Sequence, residues 1–228
     1  MSRRIVMTVG ILLLLPALVA ILFTMVPMPQ GEGLAAHGFI GSLKEALGGA
    51  WKSIAMLWLV MVLRAFVSQV FVTFFPLLYA REGYSLVSIG VVTALFTLAG
   101  ALSGLVAGSL ADRTRYRPIF IVSHLLTAPA LLLSLYLRDG WVYPCSFLSG
   151  FFSMATLPLG VALGQQLAPR GRSMVSSLMM GLSLGIGGVL SPVIGSLADV
   201  FSLPTVLAWL PVVPLLTVLL SLRLPEKA

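Results

Sequence analysis

Arg64 is the residue whose type and position most strongly indicate chemistry. It lies about eleven residues into an apolar stretch, and a helix rising about 1.5 Å per residue carries it close to the centre of a bilayer. A charge at that depth costs at least about 2.5–3.5 kcal/mol, so it must face a bundle interior or an aqueous cavity. Arg64 therefore predicts a substrate or ion-coupling path. The alternative is a structural role beside a carboxylate or backbone carbonyls.

Two further polar residues in apolar stretches are candidates for the same path. His124 is of the residue type that titrates near neutral pH and can relay protons, although a lone interior histidine is more often a hydrogen-bonded packing residue. Gln69 follows Arg64 by five residues and therefore lies off its helical face. The sequence contains no metal-ligand cluster and no phosphate-binding loop. We therefore expect a protein that is not an enzyme and needs neither a metal nor a cofactor.

The elements that position these residues are apolar spans. Charged residues make up 9% of the 228 residues, against about 25% in a soluble domain. Apolar runs of about 20 residues recur without the alternation of an outer-membrane barrel strand. An all-α membrane protein is predicted, because helices satisfy the backbone inside lipid. The net charge is +7, and the basic residues lie in short loops without interleaved aromatic residues. This arrangement argues against a nucleic-acid partner.

Seven spans are predicted. They cover residues 5–26, 53–80, 86–111, 118–137, 141–168, 173–198 and 203–222. Five prolines that can kink their helices lie within them: Pro76, Pro129, Pro158, Pro192 and Pro211. A glycine-rich stretch after the first span predicts a linker with an interfacial helix near residues 39–47. The predicted organisation is a lone helix at 1–27, a cytoplasmic linker at 28–52 and a six-helix bundle at 53–228.

The distribution of basic residues predicts the orientation in the membrane. With the C-terminus in the cytoplasm, nine basic residues lie inside and four outside, as the positive-inside rule favours. The inside residues are Lys44, Lys52, Arg113, Arg115, Arg117, Arg170, Arg172, Arg223 and Lys227, and the outside residues are Arg3, Arg4, Arg81 and Arg138. We therefore expect a multi-pass protein of the cell (inner) membrane. The two N-terminal arginines also suggest a signal peptide, but the first span is longer than the 7–15 residues of its apolar region.

A five-residue repeat connects two of the spans. The sequence Gly-Ser-Leu-Ala-Asp closes the third span, from Gly108 to Asp112, and the sixth span, from Gly195 to Asp199. Because three spans separate the copies, they face opposite sides of the membrane. An inverted repeat of three plus three helices is how each half of a major facilitator is built.

The residues around the first copy resemble the loop signature of the major facilitator superfamily. The stretch reads Gly-Ser-Leu-Ala-Asp-Arg-Thr-Arg-Tyr-Arg from Gly108 to Arg117, with Arg115 in place of an internal glycine of the signature. Three further stretches resemble fosmidomycin-resistance-type exporters: residues 57–64, 73–77 and 177–188. The resemblance covers the chain as family helices six to twelve. The polar cluster at this helix end predicts a gating role for Gly108, Asp112, Arg113 and Arg117, although positive-inside anchoring suffices to explain Arg115 and Arg117. We expect Gly195 and Asp199 to play the corresponding role at the other side, and the alternative for Asp199 is a solvated loop end.

The resemblance implies part of a secondary active transporter. We expect proton-coupled efflux of small molecules or drugs by alternating access, with the small molecule and protons as ligands. Family helices one to five are absent, so we expect the chain to be incomplete as it stands. The expected partner is an N-terminal half from the same gene or a separate chain, which would also supply any ion-pair partner of Arg64. The alternatives are a non-transporting assembly or regulatory half-protein, and an uptake carrier of the same fold.

Overall fold

The structure, a computed structural model, describes residues 48–225. A 3₁₀ turn at Gly48–Ala50 leads into the helices, and a π-helical turn lies at Ser177–Leu182. The helices are α1 (Trp51–Arg81), α2 (Leu86–Ala111), α3 (Tyr116–Tyr136), α4 (Val142–Met154), α5 (Thr156–Leu167), α6 (Arg172–Ser176), α7 (Ser183–Phe201), α8 (Leu203–Trp209) and α9 (Val212–Ser221). The predicted first span and the interfacial helix at 39–47 lie outside the described residues.

Six helical segments of the described part are long and apolar enough to cross a membrane. They are the six predicted spans of the bundle, and α4 with α5, α6 with α7, and α8 with α9 each form one of them. The prediction of an all-α membrane bundle is confirmed. Helix α1 begins at Trp51, slightly before the predicted span, because the 3₁₀ turn carries helical backbone into the end of the predicted linker.

Prolines account for two of the helix interruptions. Pro158 has no N–H to donate to the carbonyl of Met154, where α4 ends. Pro211 likewise cannot bond the carbonyl of Leu207, which accepts from the Leu210 N–H at 3.1 Å as α8 ends. The other three prolines expected to kink their spans, namely Pro76, Pro129 and Pro192, lie inside continuous helices.

Hydrogen bonds between connecting segments fix the antiparallel order. The N–H of Asp139, between α3 and α4, donates to the hydroxyl of Tyr84, between α1 and α2, at 2.9 Å. Near the other end of the bundle, the amide of Gln166 in α5 donates to the hydroxyl of Tyr116, the first residue of α3, at 2.8 Å. Alternate connections therefore lie at opposite ends of the bundle.

The packing partners show the inverted repeat in three dimensions. Helix α2 packs mainly on α4, and α7 packs mainly on α1, while α3 and α9 pack on each other. Helix α3 also packs on α4, and α9 on α1. If the first span is exchanged with the fourth, the second with the fifth and the third with the sixth, the same set of contacts results. The structure therefore agrees with the half-bundle that the repeated pentapeptide predicts.

Two glycines allow the closest of these contacts. A methyl group on Gly150 of α4 would overlap the backbone of Phe96 in α2. A methyl group on Gly187 of α7 would lie 2.8–2.9 Å from backbone atoms of Ala65 and Phe66 in α1. Small residues at such points let helix backbones approach each other in a membrane. The two glycines thus set the spacing of the two equivalent helix pairs.

Candidate functional site

Arg64 lies between two apolar clusters that fill the two ends of the bundle. The buried α1 residues of one cluster run from Ile54 to Met61, and those of the other run from Val67 to Tyr79. Arg64 is the fourteenth of the 31 residues of α1, so it sits within about 3 Å of the middle of the helix along its axis. The charge therefore lies near the middle of the helix, and its position at the centre of the bilayer stays a prediction.

The bundle itself buries Arg64. The side chain is 2% exposed and lines a crevice formed by α1, α3, α4 and α9. The other residues of the crevice are Leu63, Val67, His124, Thr127, Ser153, Pro214 and Thr217. The crevice is too narrow to hold a water molecule. The helices of the described bundle therefore enclose the guanidinium by themselves.

The guanidinium has no hydrogen-bond partner among the residues that the structure describes. Its Nε, Nη1 and Nη2 atoms are all buried and unpaired. Such a group carries five N–H donors, and leaving buried donors of a charged group unsatisfied costs more than the usual 1–3 kcal/mol. No carboxylate of the described residues lines the crevice. Arg64 is therefore a buried cation that lacks the partner a purely structural arginine needs.

His124 supplies a complementary group in the same crevice. Its ring is 2% exposed, and Nδ1 lies 2.7 Å from the carbonyl oxygen of Phe120. Nδ1 must donate in that bond, because a carbonyl only accepts. The neutral ring then carries an unshared pair on Nε2, which is buried without a partner. Donors on Arg64 and an acceptor on His124 thus share one enclosed space, although the two residues are sixty positions apart.

Hydroxyl groups around this pair are already bonded within the bundle. Ser68 and Ser153 share a hydrogen bond of 3.0 Å between α1 and α4. Thr127 donates to the carbonyl of Ser123 at 2.8 Å, and Thr217 donates to that of Pro214 at 2.6 Å. Their oxygens retain acceptor capacity. These residues were not predicted from the sequence, because serine and threonine are frequent in membrane helices and carry no distinguishing spacing.

Gln69 lies apart from the crevice. It is half-buried, and its side-chain nitrogen is close to Gly188 on α7. The structure therefore brings Arg64 and His124 together and places Gln69 on another face of α1, as its offset of five residues implies. A path role for Gln69 stays a prediction.

The two copies of the pentapeptide end helices at opposite ends of the bundle. Asp112 follows α2, and its N–H donates to the carbonyl of Gly108 at 3.2 Å. Asp199 lies in the last turn of α7. Both carboxylates are exposed, as is Arg113. Gly195 faces the ring of Phe74 on α1 at ordinary contact distance. Arg117 lies in the first turn of α3. The gating role of these residues stays a prediction.

The bundle has six helices that are long and apolar enough to cross a membrane, in the inverted-repeat arrangement from which secondary transporters are built. Residues 57–228 match the model of the Major Facilitator Superfamily. The chain belongs to this superfamily, whose members are transporters.

Two relatives are similar to part of this chain. An uncharacterized MFS-type transporter of Bacillus subtilis (strain 168), YfnC, is 32% identical over 129 residues, and the fosmidomycin resistance protein of Escherichia coli (strain K12) is 29% identical over 128 residues. Each alignment covers 55% of this chain and 32% of the relative. The chain thus matches about a third of the length of each of these proteins.

Proposed function

We propose that the chain acts as the C-terminal half of a secondary transporter that exports small molecules in exchange for protons. A second six-helix half, encoded by the same gene or supplied as a separate chain, forms the opposite wall of the substrate site. Substrate sites of this fold lie between the two halves near the midplane. The likeness to a fosmidomycin resistance protein supports export rather than uptake.

One observation carries this proposal: the buried, unpaired guanidinium of Arg64 next to the unpaired Nε2 of His124. A protein that only assembles with others gains nothing from an unpaired charge at the midplane. Charged side chains inside membrane spans mark ion pathways and proton relays as a rule. The pair thus favours a transporter over the assembly or regulatory alternative.

The pair also suggests how a proton is coupled to movement. A proton on Nε2 of His124 gives the crevice a second positive charge. Two unit charges that share such a crevice repel by a few kcal/mol at an effective dielectric constant near 20. This repulsion is of the size that moves a two-state equilibrium about a hundredfold. Protonation would displace Arg64 and loosen the contacts of α1 with α3 and α9 as the halves rock.

The two pentapeptide copies fit a pair of gates in this scheme. Asp112, Arg113 and Arg117 stand at one end of the bundle, and Asp199 stands at the other. In the proposed orientation the Asp112 end and the C-terminus face the cytoplasm of a cell (inner) membrane, as the basic residues favour. Ion pairs to the second half at one end would form as those at the other end break.

Fosmidomycin provides a probe for the function, since a relative is named for resistance to it. The chain is expressed in a fosmidomycin-sensitive host alone and together with its second half. We expect the chain alone to leave sensitivity unchanged, and the pair to raise the tolerated concentration in a way that a protonophore abolishes.

Three outcomes separate the alternatives. Increased sensitivity of the host would indicate an uptake carrier. Unchanged sensitivity to a panel of drugs, with both halves present in the membrane, would support a non-transporting assembly protein. Drug transport by the purified chain alone in proteoliposomes would refute the need for a second half.

A further inference from the structure

An apolar groove runs along the exposed surface of the bundle between α2, α3 and α4. Its volume is about 270 Å³. The α2 wall extends from Ser103 to Leu110, about 10 Å along the helix axis. Ile119 and Val122 of α3 form the second wall, and Phe152 of α4 belongs to the third. The groove is separate from the Arg64 crevice and shares no residue with it.

The groove opens beneath a basic loop. Thr114 and Pro118 line its mouth, and the segment from Asp112 to Arg117 contains three arginines and one aspartate. Arg113 and Arg115 are exposed, and Arg117 is half-buried. The arginines add to the local positive potential whatever other contacts they make. An apolar channel thus continues directly into a positively charged mouth at the end of the membrane span.

We propose that this groove binds one anionic phospholipid of the bilayer. The phosphate lies at the mouth with Arg113, Arg115 and Arg117, and an acyl chain lies along α2 toward Ser103. Basic pockets between membrane helices bind anionic headgroups, and arginine pairs with phosphate through two parallel hydrogen bonds. The length of the groove matches the upper part of one leaflet of a hydrocarbon core about 30 Å thick. The lipid therefore contacts the loop that carries Asp112.

Native mass spectrometry of the full chain tests the site. The protein is released from micelles that contain equal amounts of phosphatidylglycerol and phosphatidylcholine, and the ratio of the two retained lipids is read within one sample. We expect phosphatidylglycerol to dominate. Replacing Arg113, Arg115 and Arg117 with Gln should lower the ratio by about fivefold for each arginine that contacts the headgroup, given the usual strength of such contacts.

Matched variants separate the groove from the general surface. Val106→Trp fills the groove from its rim and should reduce retained phosphatidylglycerol, whereas Leu105→Trp, on the neighbouring exposed face, should not. Val122→Trp fills it from the opposite wall, so the result does not depend on the folding of one variant. Replacing Arg170 and Arg172, which follow α5 at the same end of the bundle, with Gln controls for charge alone.

Three results would overturn the proposal. Equal retention of the two lipids by the unaltered chain would remove the anionic preference. An equal effect of Leu105→Trp and Val106→Trp would place the lipid on the general surface. Displacement of the lipid by fosmidomycin would make the groove a substrate site instead. None of these results depends on transport, so they leave the proposed export function to its own test.

Discussion

Replacing Arg64 with Met should stabilise the folded bundle and abolish transport at the same time. Arg64 is 2% exposed, and its three guanidinium nitrogens have no hydrogen-bond partner within residues 48–225. A charge at the centre of a membrane helix costs about 2.5–3.5 kcal/mol by the lower of the available scales. Methionine fills an irregular apolar space of similar length without that cost. The variant should therefore be more stable by about 2–3 kcal/mol.

The size of this effect can be measured by thermal unfolding in detergent. A change of 1 kcal/mol shifts the midpoint by about 2–4 °C for a domain of 150–250 residues. We therefore expect Arg64→Met to raise the midpoint by about 4–12 °C. Arg81→Met removes an exposed arginine from the end of the same helix, and it should change the stability by no more than about 0.5 kcal/mol.

Transport by the completed protein provides the second half of this test. Normalised to folded protein in the membrane, proton-driven export should be lost almost completely in Arg64→Met and Arg64→Ala. It should fall less in Arg64→Lys, which keeps the charge but loses the planar fork. A lower unfolding temperature for Arg64→Met would refute the reasoning, because it would mean that the guanidinium stabilises the fold. Normal transport by Arg64→Ala at matched expression would remove Arg64 from the transport path.

Three further predictions follow from other parts of the bundle. His124→Gln keeps a neutral polar group but cannot take up a proton. A pH gradient should therefore no longer drive accumulation of the drug, while exchange of drug across the membrane persists. Loss of both accumulation and exchange would point to a folding role. Gly187→Ala should destabilise the bundle by about 1–3 kcal/mol, because the added methyl group meets backbone of α1 that cannot move away. The control Gly185→Ala places its methyl group in open space and should be neutral or slightly stabilising. Equal thermal unfolding midpoints for the two variants would contradict this prediction. A cysteine at Thr114, in a chain whose Cys145 has been replaced, should react with an impermeant thiol reagent only from the cytoplasmic side, and labelling from outside would reverse the proposed orientation.

The sequence by itself determines the class of this protein and the positions of the spans in the described bundle. The thickness of the bilayer fixes the length of a crossing helix, so hydropathy locates each span to within a few residues. The repeated pentapeptide at the ends of the third and sixth spans also indicates the inverted repeat, because an odd number of crossings reverses direction. The midplane position of Arg64 follows from counting residues along its span.

Only the tertiary structure decides what surrounds Arg64. The sequence points to a partner from another half of a transporter, since no acidic residue lies in the middle of a span. The fold encloses the guanidinium within this bundle and places His124 in the same crevice, while an ion-pair partner from another half stays a prediction. Helix pairing brings the two together, and no local spacing reports which helices become neighbours. The π-helical turn at Ser177–Leu182 was not predicted from the sequence either. Hydropathy averages over a span, whereas the hydrogen-bond register of the backbone is settled only when the helices pack.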